Sequence, residues 1–159
     1  MAAVHLSRLL GYTGTMNARI LKDCLLGGTP FRGLIVQNEF ALCAYLGVPR
    51  DHWLADMESL EFDCHWGVTF RGEGGDGIRP ENWFWYGWDY AHAGDYIGLP
   101  PEIEEYVEKS MPNRKKGKRW RLAEVEHDLI DAALNLKASI DAAVMMSGRW
   151  TKTSQHSTD

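Results

Sequence analysis

Residues 82–96 read NWFWYGWDYAHAGDY, and this stretch carries the strongest fold signal in the chain. Three of the seven tryptophans lie here within six positions. Side chains of a strand alternate between its two faces. The two resulting sets are Trp83, Trp85, Gly87 and Asp89 on one face, and Phe84, Tyr86, Trp88 and Tyr90 on the other. The aromatic content predicts a strand with a core face, and the polar end that follows predicts a site.

A second strand is predicted from EFDCHWGVTFRG, because residues 62–71 also alternate in polarity. Its apolar set is Phe62, Cys64, Trp66, Val68 and Phe70, and its other set is Asp63, His65, Gly67, Thr69 and Arg71. The glycine-rich stretch GEGGDGIRPE follows directly and predicts a loop. We therefore expect an antiparallel pair between residues 62–71 and the strand at residues 83–89.

The remaining segments predict one more hairpin and three helices. The runs FRGLIVQ and FALCAYLGV read as strands joined by a tight turn at Asn38-Glu39. TMNARILKDCLLGG, GLPPEIEEYVEKSM and the long WRLAEVEHDLIDAALNLKASIDAAVMM read as helices. The predicted fold class is α+β, with a small antiparallel β-sheet packed on one face by C-terminal helices. Residues 1–150 are expected to form a single globular domain, and residues 151–159 a disordered tail.

Composition narrows the classes of function. The chain has 159 residues and a net charge of −5, which does not favour nucleic acid as a partner. The basic segment RKKGKRWR could grip an acidic partner, but it also suits a solvated linker between helices. The three cysteines of the chain form no C-x-x-C pair, and neither a membrane span nor a signal peptide is recognisable in the sequence. We therefore expect a cytoplasmic protein that does not bind a membrane.

The two predicted strands place a candidate site on their shared polar face. Histidine and aspartate side chains are expected to converge in one cleft, with catalytic roles for His65, His92, Asp89 and Asp95. Ligand-binding roles are expected for the flanking residues Asp63, Thr69, Arg71, Arg79, Trp83, Trp85, Tyr90 and Tyr96. The plainer interpretation is that the tryptophans are core residues and that the histidines and aspartates stabilise turns.

Cofactors and metals are not predicted. No H-x-H, H-x-x-x-H or H-E-x-x-H pair occurs, so the histidine spacing is a weak metal signal. The G-x-S-x-G pattern of a serine nucleophile is absent as well. The glycine-rich loop lacks the lysine of a phosphate-binding loop, although Arg71 and Arg79 flank it and could meet a phosphate.

Three stretches carry a family resemblance: GLIVQNEFALCAYLGVPRDH, DCHWGVTFRG and NWFWYGWDYAHAGDY. They resemble an uncharacterised group of phage, prophage and bacterial proteins with a W-W-x-G-F-D-x-A-H-x-G-D segment. The match covers about residues 33–96, with a weaker one near residues 120–137. The resemblance singles out Cys43, Tyr45, Pro49, His52, His65, Gly67, Thr69, Trp83, Gly87, Asp89, His92, Gly94 and Asp95. The chain departs from the pattern at Ala44, Trp53 and Trp66.

The resemblance implies a mobile-element setting and supplies no reaction. The leading hypothesis is a phage accessory protein with an anti-defence role, whose aromatic Asp/His pocket sequesters a small nucleotide-derived ligand. The first alternative is a hydrolase that uses the same cluster on a phosphodiester or glycosidic bond. The second is an inhibitor that binds a host defence protein through surface acids such as Glu102, Glu104 and Glu105. Each of these hypotheses is compatible with an oligomer.

Overall fold

A computed structural model describes residues 18–153. They form a five-stranded antiparallel sheet and two helices. The strands are β1 (Arg19–Leu25), β2 (Arg32–Gln37), β3 (Leu42–Pro49), β4 (Phe70–Glu73) and β5 (Trp83–Asp89). Their order in the sheet is β1-β2-β3-β5-β4. The helices are α1 (Pro101–Ser110) and α2 (Leu122–Thr153). The predicted α+β class, with the C-terminal helix packed on the sheet, is confirmed.

The helix predicted at residues 15–28 is wrong over its described part. Residues 19–25 form edge strand β1, which pairs antiparallel with β2 from Arg19↔Gln37 to Leu25↔Arg32. The two glycines that suggested a helix stop belong instead to the turn into β2, and Gly28 has a φ of 75° there. Backbone pairing with a buried neighbouring strand outweighs the weak helix preference of this segment. Residues 15–17 of the prediction lie outside the described residues.

The hairpin of β2 and β3 is confirmed, with a turn of residues 38–41. Gln37 pairs with Leu42, so the turn is two residues longer than the Asn38-Glu39 turn that was predicted. The Asn38 side-chain oxygen accepts hydrogen bonds from the backbone N–H groups of Phe40 and Ala41, both at 2.9 Å. Asparagine is favoured at such positions because its side chain satisfies turn donors locally.

The strand predicted at residues 62–71 is mostly wrong. Only Phe70–Glu73 forms a strand, paired with β5 from Phe70↔Gly87 to Glu73↔Phe84. Residues 61–69 form turns and irregular backbone instead, and Trp66 and Gly67 have φ values of 58° and 82°. Left-handed backbone at two consecutive residues is incompatible with a strand. His65 therefore does not lie on a sheet face, and the face argument that grouped it with Trp83 and Trp85 fails.

The two faces of β5 divide as predicted between the helix side and the opposite side. Phe84, Tyr86 and Trp88 join the main core with α2 residues such as Val125 and Leu129. The opposite face forms a smaller apolar cluster of Leu34, Val36 and Trp85, covered by Tyr45, Phe70, Ile78 and Trp83. Both faces are thus apolar along most of β5, and polar groups gather only where the strand ends.

The C-terminal helices match their predictions in position. Helix α1 begins with Pro101 at its first turn, and α2 packs its apolar stripe on β2 and β3. Helix α2 continues to Thr153, so it includes the first three residues of the predicted tail, and residues 154–159 lie outside the described residues. Within residues 18–153, neither helix is long and apolar enough to cross a membrane.

Candidate functional site

The site is built around the tight turn at residues 92–95, which follows shortly after β5. The Asp95 N–H donates to the His92 carbonyl at 2.9 Å, and Asp95 Oδ2 accepts the His92 N–H at 3.0 Å. Gly94 has a φ of 95°, a conformation that glycine adopts without a Cβ penalty. The turn brings Asp89, His92 and Asp95 together, as their spacing of three predicted.

His65 reaches this turn from the loop before β4. Its Nε2 lies 2.8 Å from Asp95 Oδ2. Its ring stacks on Tyr90, with centroids 4.7 Å apart and planes at 10°. The His65 and His92 rings lie 5.7 Å apart. We call His65, Asp89, His92 and Asp95 the His/Asp cluster. It holds all four residues predicted as catalytic, and they come from the end of β5, the turn after it and the loop before β4 rather than from one sheet face.

Asp95 is the centre of the cluster. In addition to the two groups at Oδ2, its Oδ1 accepts a hydrogen bond from Trp120 Nε1 at 2.7 Å. The side chain is 5% exposed. Burial alone would raise the pKa of Asp95, but the hydrogen bonds from His65, Trp120 and the His92 backbone favour the carboxylate and bring the pKa below its usual value. Asp95 is therefore ionised at neutral pH.

His92 has the least satisfied side chain of the cluster. Its Nδ1 is buried, and no group of residues 18–153 lies within hydrogen-bonding distance. The nearest acceptors are Asp89 Oδ1 at 3.6 Å and Asp95 Oδ2 at 3.9 Å. The His92 ring also stacks on Trp66, with centroids 5.2 Å apart and planes at 2°, and Trp66 is 63% exposed. A buried ring nitrogen that lacks a hydrogen-bond partner and lies near two carboxylates is a position where a cation would be stabilised.

Tyr90 connects the cluster to helix α2. Its hydroxyl accepts a hydrogen bond from Trp88 Nε1 at 3.0 Å and donates to the Asp128 carboxylate. Burial, followed by the hydrogen bond to Asp128, raises the pKa of Tyr90 above its usual value. Tyr90 thus remains a neutral phenol, and its ring is a fixed platform beneath His65.

A cavity of about 480 Å³ lies beside the cluster, and we call it the Tyr96 cavity. The Tyr90 and Trp120 rings that contact His65 also line this cavity. Arg119 adds a cation, and its guanidinium carbon lies 4.1 Å from the centroid of the Tyr96 ring. The other lining residues are Leu21, Gln37, Asn38, Glu39, Phe40, Ala41, Leu42, Gly98 and Leu122.

Of the eight residues predicted to bind a ligand, Tyr90 and Tyr96 line the Tyr96 cavity. Asp63 is exposed in the loop before His65. Thr69 donates its backbone N–H to the Gly87 carbonyl at 2.8 Å. Arg71 holds the loop before β4 through the Leu60 carbonyl at 2.8 Å and the Glu61 carboxylate.

The predicted tryptophan wall is wrong for Trp85. Trp85 is completely buried, and its Nε1 donates to the Pro80 carbonyl at 3.1 Å. Trp83 packs on the same small cluster beneath the guanidinium of Arg32. Arg79 stacks on Phe70 and pairs with Asp76, so it anchors the glycine-rich loop. Trp85 and Arg79 thus hold the loop to the sheet, and burial of the Trp85 indole stabilises this packing.

Sequence reasoning missed Trp120 and Arg119, which the basic segment brings to the site. Lys118 forms a parallel bridge with Asp95, its N–H donates to the Gly94 carbonyl at 2.7 Å, and its carbonyl accepts the Tyr96 N–H at 2.8 Å. The segment predicted as a solvated linker therefore docks on the turn. The one signal for it in the sequence was the weaker resemblance that starts near residue 120.

Comparison with protein-family models, curated proteins and solved structures finds no match. The family resemblance therefore stays a prediction. Fold and geometry together define an α+β protein with a partly buried His/Asp cluster and an adjacent aromatic cavity.

Proposed function

We propose that the protein binds a small polar ligand, of the nucleotide-derived type, in the Tyr96 cavity. The observation that carries this proposal is the pairing of the Arg119 guanidinium with the Tyr96 ring at the cavity wall, 4.1 Å apart. A cation beside aromatic surface matches a ligand that has both a phosphate and a base. The cavity volume of about 480 Å³ lies within the range of small-ligand sites, roughly 300–1,000 Å³.

The β2–β3 hairpin adds polar groups to the lining of the cavity. Gln37 and Glu39 are exposed at the cavity rim, where an amide and a carboxylate could hydrogen bond to ribose or base. Trp120 offers aromatic surface between the cavity and the His/Asp cluster. In a phage setting, which the family resemblance implies, such binding would sequester a nucleotide signal of the host defence. That setting, and a cytoplasmic location, stay predictions.

Isothermal titration calorimetry tests this proposal with AMP, ADP-ribose and cyclic dinucleotides, in buffer containing EDTA. We expect one of these nucleotides to bind. Arg119→Ala should weaken that binding by about 10- to 100-fold, the equivalent of one charge-assisted hydrogen bond. The matched control is Arg114→Ala, because Arg114 belongs to the same basic segment but does not line the cavity. If no nucleotide of the panel binds, the proposal is wrong.

A second candidate is hydrolysis of a phosphodiester or glycosidic bond beside the cluster. The observation that favours it is the contact of the His65 imidazole with an ionised carboxylate, 2.8 Å away at Asp95, an arrangement that orients the ring. Chromatography of the nucleotide after incubation and denaturation distinguishes the two functions. A binding protein returns the nucleotide intact, whereas a hydrolase returns products and His65→Gln slows their formation by about 10² or more.

A further inference from the structure

We propose that His65, His92 and Asp95 bind a divalent transition-metal ion, for which Zn²⁺ is the probe. The three side chains each bring one ligand atom, and these atoms all lie within 4.8 Å of one another. Imidazole nitrogen together with carboxylate oxygen suits zinc, manganese and iron rather than calcium or magnesium. This inference concerns a site next to the Tyr96 cavity and does not rest on the proposed nucleotide binding.

The distances between the ligand atoms can be compared with those of a tetrahedral zinc site. Asp95 Oδ2 lies 2.8 Å from His65 Nε2 and 3.9 Å from His92 Nδ1. Bonds of about 2.0–2.1 Å in a tetrahedral zinc site separate neighbouring ligand atoms by about 3.3 Å. One of these pairs must therefore open, and the other close, by roughly half an ångström. The two histidine nitrogens lie within 4.8 Å of each other and must approach by up to about 1.5 Å, which requires rotation of both side chains.

The unsatisfied nitrogen of His92 gives the second line of support. Its buried Nδ1 faces Asp89 and Asp95 but lies beyond hydrogen-bonding distance of both. A buried nitrogen without a hydrogen-bond partner is unfavourable, and a cation bound to it would remove that cost. A divalent ion would satisfy that nitrogen and offset the negative charge of the Asp95 carboxylate in one step.

Neighbouring groups hold the ligands in the way that metal sites require. Trp120 Nε1 binds Asp95 Oδ1 at 2.7 Å, which orients the carboxylate so that Oδ2 points to both histidines. The His65 ring is fixed by stacking on Tyr90, and the His92 ring by stacking on Trp66. Outer contacts of this kind orient ligands and contribute about 10- to 100-fold to metal affinity.

Metal binding requires one change in protonation. A coordinated imidazole nitrogen must carry a free lone pair. If His65 is neutral, the proton that Nε2 shares with Asp95 moves to Nδ1; if His65 is charged, the Nε2 proton leaves to solvent. A proton on His92 Nδ1 must likewise move to Nε2 or leave to solvent. Three protein ligands then leave a fourth position for water, the pattern of a catalytic rather than a structural zinc site.

Equilibrium dialysis of the untagged, EDTA-stripped protein against ZnCl₂ tests the proposal. We expect one Zn²⁺ per chain, with affinity lowered by about 100-fold or more in His65→Gln and His92→Gln. The matched control is His127→Gln, because His127 is exposed on α2 beside a carboxylate, Asp131, at 3.3 Å. Melting curves in EDTA establish that each variant is folded. Absence of Zn²⁺ binding by the wild type, or wild-type affinity in both cluster variants, would overturn the proposal.

A spectroscopic measurement on the wild type covers the case in which a variant does not fold. Long-range ¹H–¹⁵N spectra of the imidazoles should show Zn²⁺ coordinated by His65 through Nε2 and by His92 through Nδ1. Changes confined to other histidines would overturn the assignment. Because the nucleotide titrations are run in EDTA, failure of the metal site and failure of the nucleotide site give separate results.

Discussion

Replacing Asp95 with asparagine tests whether the His/Asp cluster is held together by one buried carboxylate. Oδ2 of Asp95 accepts from His65 Nε2 and the His92 N–H, and Oδ1 accepts from Trp120 Nε1. Asparagine has the same shape but only one oxygen. The amide NH₂ of asparagine would therefore face a donor in either orientation: the Trp120 indole N–H, or both His65 Nε2 and the His92 backbone N–H.

The expected cost follows from those contacts. A hydrogen bond to a charged group contributes about 1.5–3 kcal/mol, and a buried donor left without an acceptor costs a similar amount. The amide oxygen of asparagine keeps the hydrogen bonds on one side of the former carboxylate. The free-energy losses of neighbouring hydrogen bonds are also not additive. We therefore expect Asp95→Asn to lower the free energy of unfolding by about 2–4 kcal/mol. For a chain of this size the melting temperature should fall by about 5–15 °C.

Urea unfolding followed by tryptophan fluorescence measures this loss, in EDTA so that no metal contributes. The matched control is Asp131→Asn, because Asp131 is exposed and contacts only an exposed histidine among the ion pairs of residues 18–153. Exposed pairs contribute little, so the control should stay within about 0.5 kcal/mol of the wild type. The reasoning is refuted if Asp95→Asn is equally mild, or if both variants lose the same stability.

Three further predictions concern the sheet. Tyr86→Phe removes a hydroxyl that donates to the buried Leu54 carbonyl at 2.6 Å, so the free energy of unfolding should fall by about 1–3 kcal/mol in urea titrations. Gly87→Ala should cost about 1–3 kcal/mol in the same assay, because the new methyl would lie 2.4 Å from the Tyr45 ring; an unchanged midpoint would contradict this packing. Burial raises the pKa of Cys43 to about 12, so iodoacetamide at pH 8 should modify it slowly in the folded protein and rapidly in urea, with mass spectrometry as the readout.

The local sequence pattern was sufficient to predict elements whose interacting residues are close in sequence, or whose polarity alternates over many residues. Alternation along residues 83–89 assigned the two faces of β5 correctly. Asn38, a residue type favoured in turns, predicted the β2–β3 hairpin. The spacing of three among Asp89, His92 and Asp95 also predicted their convergence on one turn. In each case the side chains that decide the structure lie within a few residues of one another.

The errors arose where a distant partner decides the conformation. Residues 19–25 carry helix-like signals, yet they form a strand because β2 offers an edge to pair with. Residues 62–69 alternate in polarity, yet left-handed backbone at Trp66 and Gly67 turns the chain and carries His65 to the end of β5. A local sequence pattern does not show which distant strand or loop a segment will contact in the folded protein.

The sequence by itself determined the α+β class, the faces of the central strand and the residue types of the cluster. Tertiary structure alone decided which tryptophans serve the site. Trp83 and Trp85 were expected to line it, but the glycine-rich loop and β4 cover Trp85 completely. The tryptophan at the site is instead Trp120. The basic segment pairs with residues 94–96, and this pairing directs the indole N–H of Trp120 to Asp95. A contact between residues 25 positions apart depends on how two loops pack, and no periodicity in either loop encodes it.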